Sequence, residues 1–345
     1  MESRKEIFSL NNINQTITDP QILMNRYIWR NGFPFTAITA PGNVYDAIIV
    51  KFPQNVRCSS PVLPGSSSSL EEHIAFINDY KIEKALIIAD RIDFITMCPT
   101  LKYVRIIPPD NAFDIFDYSP LYKMIQIKSL QCSIPYHLND VASTFIDCKR
   151  INGLEDIHVV GNMYKNYNKI NTLKSLGLTK YTEKNISEAF QSSMLDTLSI
   201  FQSKIIALDG IEQSQKMQCL YLYCNRNLKD ISALKMVKKT LKALRIENCP
   251  RISDFSVLGE LENLELLQLS GSNELPNLKF LETMPKLKTL ILNMMVADGD
   301  LSLCLNLSYV YLQKNRKHYN LKDSDLPKGK FVRGNENIEL WRRLE

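Results

Sequence analysis

One spacing recurs along this chain and restricts what it can fold into. From Leu241 the residues at offsets 0, 3 and 5 are apolar (Leu241, Leu244, Ile246), and offset 8 holds a small residue, Cys249. The set returns as Leu264, Leu267, Leu269 and Ser272, as Leu287, Leu290, Leu292 and Met295, and as Leu307, Val310, Leu312 and Asn315. Upstream it reads Met217, Leu220, Leu222, Asn225; Leu195, Leu198, Ile200, Ser203; Leu173, Leu176, Leu178, Tyr181; and Leu154, Ile157, Val159, Asn162. The eight starts lie 19 to 24 residues apart. A chain of 345 residues ordinarily divides into about two globular domains. A repeat of this kind instead stacks coils in one dimension, each burying its apolar face only against its neighbours.

The spacing has a physical reading. Offsets 3 and 5 alternate along a short strand, so both point to one side, the interior. Offset 8 leaves the strand, where an Asn, Cys or Ser can bond to buried backbone that would otherwise be costly. A second apolar set at spacing three (Ile231 and Leu234; Ile252, Phe255 and Leu258; Leu278 and Leu281) predicts short 3₁₀ or helical turns on the far side of each coil. The pattern resembles the leucine-rich repeat L-x-x-L-x-L-x-x-N/C. Segments such as Leu228–Leu234 and Ile252–Leu258 are similar to the 22-residue internalin-like and phosphatase-regulator-like class. The resemblance covers about two thirds of the chain. It implies an α/β solenoid, a superhelix with a parallel sheet on the concave face and 3₁₀ or helical segments on the convex face, used for protein recognition.

Weaker matches extend the repeat upstream: Ile82, Ala85, Ile87, Asp90; Leu101, Val104, Ile106, Pro109; and Tyr122, Ile125, Ile127, Leu130. A degenerate coil at Asp140, Ser143, Phe145 and Cys148 would fill the 32-residue gap to 154. The expected organisation is an N-terminal β-rich cap or small domain over 1–79, a solenoid of about 11 or 12 coils over 80–320, and a C-terminal cap over 321–345. In the first region Val44, Ala47, Ile49 and Phe52 suggest an outlying strand, and Tyr27–Phe35 and Val44–Val50 read as hairpin arms. Pro61–Ser69 reads as a loop, and Ser69 with Glu72 forms a capping box for a helix over about residues 70–80. The caps answer a physical need, since a terminal coil would otherwise leave its apolar end in water. Phe331, Ile338, Leu340, Trp341 and Leu344 supply apolar cover at the far end.

Catalytic chemistry is sparsely represented. His73, His137, His158 and His318 show no metal-ligand spacing, and no phosphate-binding Gly-rich motif or nucleophile elbow is present. Asp298 with Asp300, and Asp323 with Asp325, sit in turn-like surroundings. The expectation is a non-enzyme without cofactor or metal. The net charge is +5, and the tail from Gln313 carries nine basic and five acidic residues, +4 of that total. The body is thus nearly neutral, which argues against nucleic acid. No run approaches the roughly 18 apolar residues of a membrane span, and the first residues lack a signal-type apolar stretch. Eight scattered Cys without C-x-x-C pairs read as free thiols of a cytoplasmic protein. The abundance of Asn, Lys and Ile points to a bacterial source.

The information then lies on the sheet face, where offsets 2, 4 and 6 point out of the interior. The residues expected to bind are Phe201, Tyr221, Tyr223, Arg245, Glu247, Leu266, Gln268, Ile291, Tyr309 and Tyr311. Aromatics and Arg are the types that dominate hot spots, and Leu266 and Ile291 add apolar surface. His158 is expected as an exposed contact residue. The function expected is a non-catalytic module that binds another protein, such as an intracellular bacterial immunity or regulatory protein. The alternatives are an internalin-like surface adhesin and an enzyme-associated recognition protein with activity in the N-terminal region.

Overall fold

The computed structural model describes residues 47–52, 69–109, 115–132 and 145–331. They fall into two compact units, one ending at Leu173 and the other beginning at Lys174. The first contains β1 (Ala47–Phe52), α1 (Leu70–Asp79), β2 (Lys84–Ala89), β3 (Tyr103–Ile107), β4 (Ser129–Cys132), β5 (Ile146–Asp147), β6 (Asp156–Val160) and β7 (Tyr164–Lys165). Strands β1, β2, β3, β4 and β6 pair in that order, all parallel, while β5 and β7 form a separate two-stranded sheet. Helix α1 begins as the sequence suggests. The Ser69 side chain accepts from the Glu72 N–H at 3.2 Å, and Glu72 Oε2 accepts from the Ser69 N–H at 2.9 Å, the reciprocal capping box.

The second unit contains β8 (Ser175–Thr179), β9 (Thr197–Phe201), β10 (Cys219–Tyr223), β11 (Ala243–Glu247), β12 (Leu266–Leu275), β13 (Thr289–Val296) and β14 (Tyr309–Leu312), again parallel neighbours in chain order. Pairing sets the offset-3 residues in one row, Leu176, Leu198, Leu220, Leu244, Leu267, Leu290 and Val310, and the offset-5 residues in a second. All of the first row are buried. Far-side 3₁₀ turns at Ser232–Val237, Ser256–Glu260, Lys279–Thr283 and Ser302–Asn306 return the chain. Asp230, Asp254, Asn277 and Asp300 each accept, through the side-chain oxygen, from the N–H that opens one of these turns, at 2.8 to 2.9 Å. That is the role of the Asp in the repeat's descent. The fold is a leucine-rich-repeat solenoid.

The offset-8 position works as expected in the middle of the unit. Asn225 Oδ1 accepts from the Ser203 N–H at 2.9 Å, its Nδ2 donates to the Ile200 carbonyl at 2.8 Å, and Ser203 Oγ accepts from the Tyr181 N–H at 3.0 Å. Just before it, Lys180, Gln202, Cys224 and Asn248 all take positive φ, from 48° to 57°, turning the chain off the strand. One coil later the register slips. Strand β12 continues past a bulge near Gly271, whose φ is 149°, so Ser272 is exposed and Asn273 takes its place. The Asn273 Nδ2 donates to the carbonyls of Cys249 and Ile252 at 3.1 and 2.7 Å.

The weak upstream matches need three corrections. The coil assigned to Tyr122 begins instead at Ile127, because Leu130 and Cys132 are the buried partners of Val104 and Ile106. Ile125, expected inside, is 87% exposed. Of the degenerate coil, only the stretch from Phe145 is described, and that stretch is not in the main sheet. Its described part, around Phe145 and Cys148, leads through β5 to the small sheet, and Phe145 is exposed. In β1 the residues in register with the interior Ala85 and Ile87 are Ile48 and Val50, both buried, one place on from the expected pattern. A continuous apolar run carries no alternation, and a slip of one residue exchanges the two faces. The segments 1–46, including Tyr27–Phe35, and 53–68 lie outside the described residues.

The last strand is covered. Val310 N–H donates to the Pro327 carbonyl at 2.9 Å, Gly329 N–H to the Ser308 carbonyl at 3.0 Å, and Leu312 N–H to Asp323 Oδ1 at 2.7 Å. Pairing or shielding an edge in this way removes a template for aggregation. Ionic contacts also link successive coils just ahead of their strands, as in Lys128–Glu155 at 3.3 Å and Lys288–Glu265 at 3.0 Å.

Leu244, Leu267 and Leu290 are fully buried register neighbours. Each Leu→Ala change should destabilise the chain by about 2–5 kcal/mol, from lost transfer energy and the cavity left behind. Urea denaturation of the three variants checks this, and losses under about 1 kcal/mol at all three would contradict the stacked column.

Candidate binding face

The face of the second unit carries its aromatic side chains together. Register pairing puts Phe201 beside Tyr223, and Tyr223 beside Glu247. Tyr221 lies in the neighbouring row, paired with Arg245. The rings of Phe201 and Tyr221 meet edge to face at 5.2 Å, and Tyr223 stands 6.3 and 6.0 Å from the two. These separations suit aromatic pairs. The guanidinium of Arg245 lies over the Tyr221 ring at 4.6 Å and bonds to Glu247 Oε1 at 3.1 Å. Five of the ten expected residues therefore form one cluster. Burial first, and the Glu247 carboxylate second, push the Tyr221 phenol far above its usual range.

The cluster is less open than expected. The Arg245 and Glu247 side chains are 13% and 16% exposed, because each is the other's ion partner and Arg245 is stacked as well. Leu266 is a clear correction, being wholly buried along with Cys219, Ala243 and Thr289 in the same offset-2 row. Alternation fixes which way a side chain points, but exposure depends on what packs on that face. Gln268 and Ile291 are half-buried register partners. Tyr311, paired with Ile291, is 44% exposed.

Tyr309 and Tyr311 join a second group that sequence reasoning missed. Lys328 lies within 5.8 and 5.9 Å of their ring centres and bonds to Asp323 at 2.7 Å, and Phe331 meets Tyr309 edge to face at 5.2 Å. The available signal was the turn-rich Ser324–Gly329 after the last repeat, which folds back along β14.

The first unit's face differs in kind. At offset 4 it carries Arg105, Gln131 and His158 in register. His158 is half-buried, not the exposed contact expected. Burial above all, with the charge of Arg105 adding to it, lowers its pKa to about 4, although Asp156 pulls the other way. Arg105 is buried, and its pKa is brought down to about 10 by desolvation. Sequence reasoning missed Gln131 because the coil start at Tyr122 hid it, while Arg105 stood at offset 4 of the coil from Leu101 but was not read as a face residue. A start at Ile127 places Gln131 at the same offset as His158.

Among the described residues no group of His, Cys, Asp or Glu is arranged to hold a metal ion, and no helix is long and apolar enough to cross a membrane.

No family model matches this sequence, and no curated protein matches it. Solved structures do match. TLR13 in complex with ssRNA13 shares 15% identity over 72% of this chain and 42% of its own, with a TM-score of 0.44. The Toll–Spatzle complex of Drosophila shares 13% over 70% and 32%, at 0.40. A leucine-rich-repeat protein of Leptospira interrogans shares 13% over 72% and 82%, at 0.37. The chain thus spans less than half the length of the first two. At such identities the likeness concerns the fold.

The depressed pKa of His158 has a consequence with a definite sign. Above its ordinary value near 6.5 the ring is neutral whether the chain is folded or not. As pH falls below 6.5 the unfolded chain takes up a proton that the folded chain refuses until about pH 4. Stability should therefore decline from pH 6.5 toward 4, by up to about 2 kcal/mol between pH 7 and 5. Denaturation midpoints of the parent and His158→Gln across this range check it. Parallel curves would show that His158 does not titrate as described.

Proposed function

We propose that this chain is a non-catalytic interaction module that binds another protein on the sheet face of its second unit. The observation that carries the reading is the cluster of Phe201, Tyr221 and Tyr223 with Arg245 laid over Tyr221. Rigid aromatic surface held at close quarters beside an Arg is the composition of a protein hot spot. Enzymatic chemistry finds no support in this face, whose charged groups here are an Arg–Glu pair already engaged with each other. The same pairing weighs against nucleic acid, which calls for several cations directed at phosphates.

A cytoplasmic location in a bacterium, in an immunity or regulatory role against a protein partner, is the finer form of the proposal. Its support is that the seven described cysteines form no disulfide, with burial pushing the thiols of Cys132, Cys148 and Cys304 up to about 12. Unreactive thiols fit a reducing compartment.

The test begins with a partner captured by the purified full-length chain from its source organism. Tyr221→Ala, Tyr223→Ala and Arg245→Ala should each weaken binding by roughly thirtyfold, a hot-spot loss of about 2 kcal/mol. Changes at the exposed far-side residues Lys229 and Glu260 should leave it unaltered. Arg245→Ala should also lower the melting temperature, since it breaks the contacts to Glu247 and Tyr221. Parent-like binding by all three face variants would remove the second unit's face as the binding site.

A further inference from the structure

The edge where strands β9, β10 and β11 leave the sheet carries charge that the aromatic cluster does not use. The first two strands end in the same turn. Gln202 and Cys224 take positive φ, Ser203 and Asn225 enter the interior, and Lys204 and Arg226 follow, both exposed. The Gln202 N–H donates to the Tyr223 carbonyl and the Ser203 N–H to Asn225 Oδ1, each at 2.9 Å. The two turns therefore lie in step, and the backbones of Lys204 and Arg226 run about 5 Å apart. On the third coil Pro250 takes the place after Cys249, and the exposed Arg251 comes next. Among the described residues none of these three cations enters an ion pair. The acids of this edge, Glu183 after β8 and Glu274 on β12, lie on the coils to either side.

We propose that the partner bound on the second unit's face is an acidic protein segment, with apolar side chains on the aromatic cluster and carboxylates toward Lys204, Arg226 and Arg251. This holds only if the face is the binding site, as proposed above. Lys204 and Arg226 come three residues after Phe201 and Tyr223, so their backbones stand at most about 10 Å from the aromatic rows. That is close to the screening length at physiological salt, about 8 Å, and their field reaches whatever rests on the rings. The face adds no net charge of its own, since Arg245 and Glu247 are bonded to each other. The exposed edge therefore sets the sign of the partner. Carboxylates also suit the two guanidinium groups, which take them two hydrogen bonds at a time. A nucleic acid fits the same edge less well. Its bases need open ring planes to stack on, yet Phe201 meets Tyr221 edge to face and Arg245 already lies over Tyr221. The Glu247 carboxylate, beside Tyr223 in register, also repels phosphate.

The probe is a library of random dodecapeptides displayed on phage and panned against the full-length chain. Enriched peptides should carry net negative charge, with aliphatic or aromatic residues between the acids. Synthetic copies should associate more slowly as salt rises. The triple variant Lys204→Glu, Arg226→Glu, Arg251→Glu should slow association roughly tenfold at low salt and leave the melting temperature near that of the parent. Tyr221→Ala should instead speed dissociation. If the reversed charges disturb folding, the triple Gln variant takes their place, with an effect of the same direction and smaller size. The proposal is overturned if the enriched peptides are neutral or basic, if no acidic peptide is enriched, or if the edge variants associate as fast as the parent. It is also overturned if a single-stranded oligonucleotide binds more tightly than the peptides and loses that binding in the edge variant. Peptides that bind Tyr221→Ala as they bind the parent would count against the aromatic face itself. Peptides lost with Tyr221→Ala but indifferent to the edge would leave that face standing and sink the acidic partner alone.

Discussion

Every coil of this chain depends on burying one row of side chains against the coils on either side. A strand of five residues with a 3₁₀ return cannot enclose Leu244 by itself. Leu220 and Leu267, its register neighbours, do so. Because the neighbours are identical in position, the apolar rows run unbroken through each unit, and the strands are forced into parallel pairing at constant register. The returns are short for the same reason: a 3₁₀ turn set by an Asp or Asn side chain brings the chain back within a repeat of about 22 residues.

That arrangement creates a polar problem at the end of each strand, where the chain leaves the sheet and its backbone groups enter the interior. Asn225 meets it from both ends of its amide, bonding to Ser203 and Ile200. Residues in the left-handed region just before it make the turn sharp enough. The cost of that conformation in Lys180, Gln202, Cys224 and Asn248 is offset by backbone bonds to the next strand, as from Gln202 N–H to the Tyr223 carbonyl at 2.9 Å. Where Gly271 lengthens the path, Asn273 stands one place along and does the donor half of that work, its Nδ2 bonding to the carbonyls of Cys249 and Ile252.

With the interior settled in this way, the side chains of the sheet face are relieved of folding duty and differ between the units. In the second unit they are aromatic and mutually packed around one internal ion pair. In the first, Arg105 and Gln131 are buried in a row with the half-buried His158. The same repeat thus carries a chemically different face in each unit, because it constrains offsets 3, 5 and 8 and leaves offsets 4 and 6 open to specialisation.

The sequence by itself determined the solenoid, the interior rows from Leu154 onward, the far-side turns and the capping box of α1, since each is a local periodicity whose physical meaning does not depend on the rest of the chain. It also brought Phe201, Tyr221, Tyr223, Arg245 and Glu247 onto one face, because alternation along a strand fixes direction. Only the tertiary structure decided the register of β1 and β4, where an unbroken apolar run or a choice between Tyr122 and Ile127 leaves the pattern degenerate. It alone decided that Leu266 is covered, that Arg245 is already engaged, and that Lys328 returns to Tyr309 and Tyr311. The reason is the same throughout: period two tells which side of a strand a residue occupies, while exposure and partnership depend on groups far away in the chain.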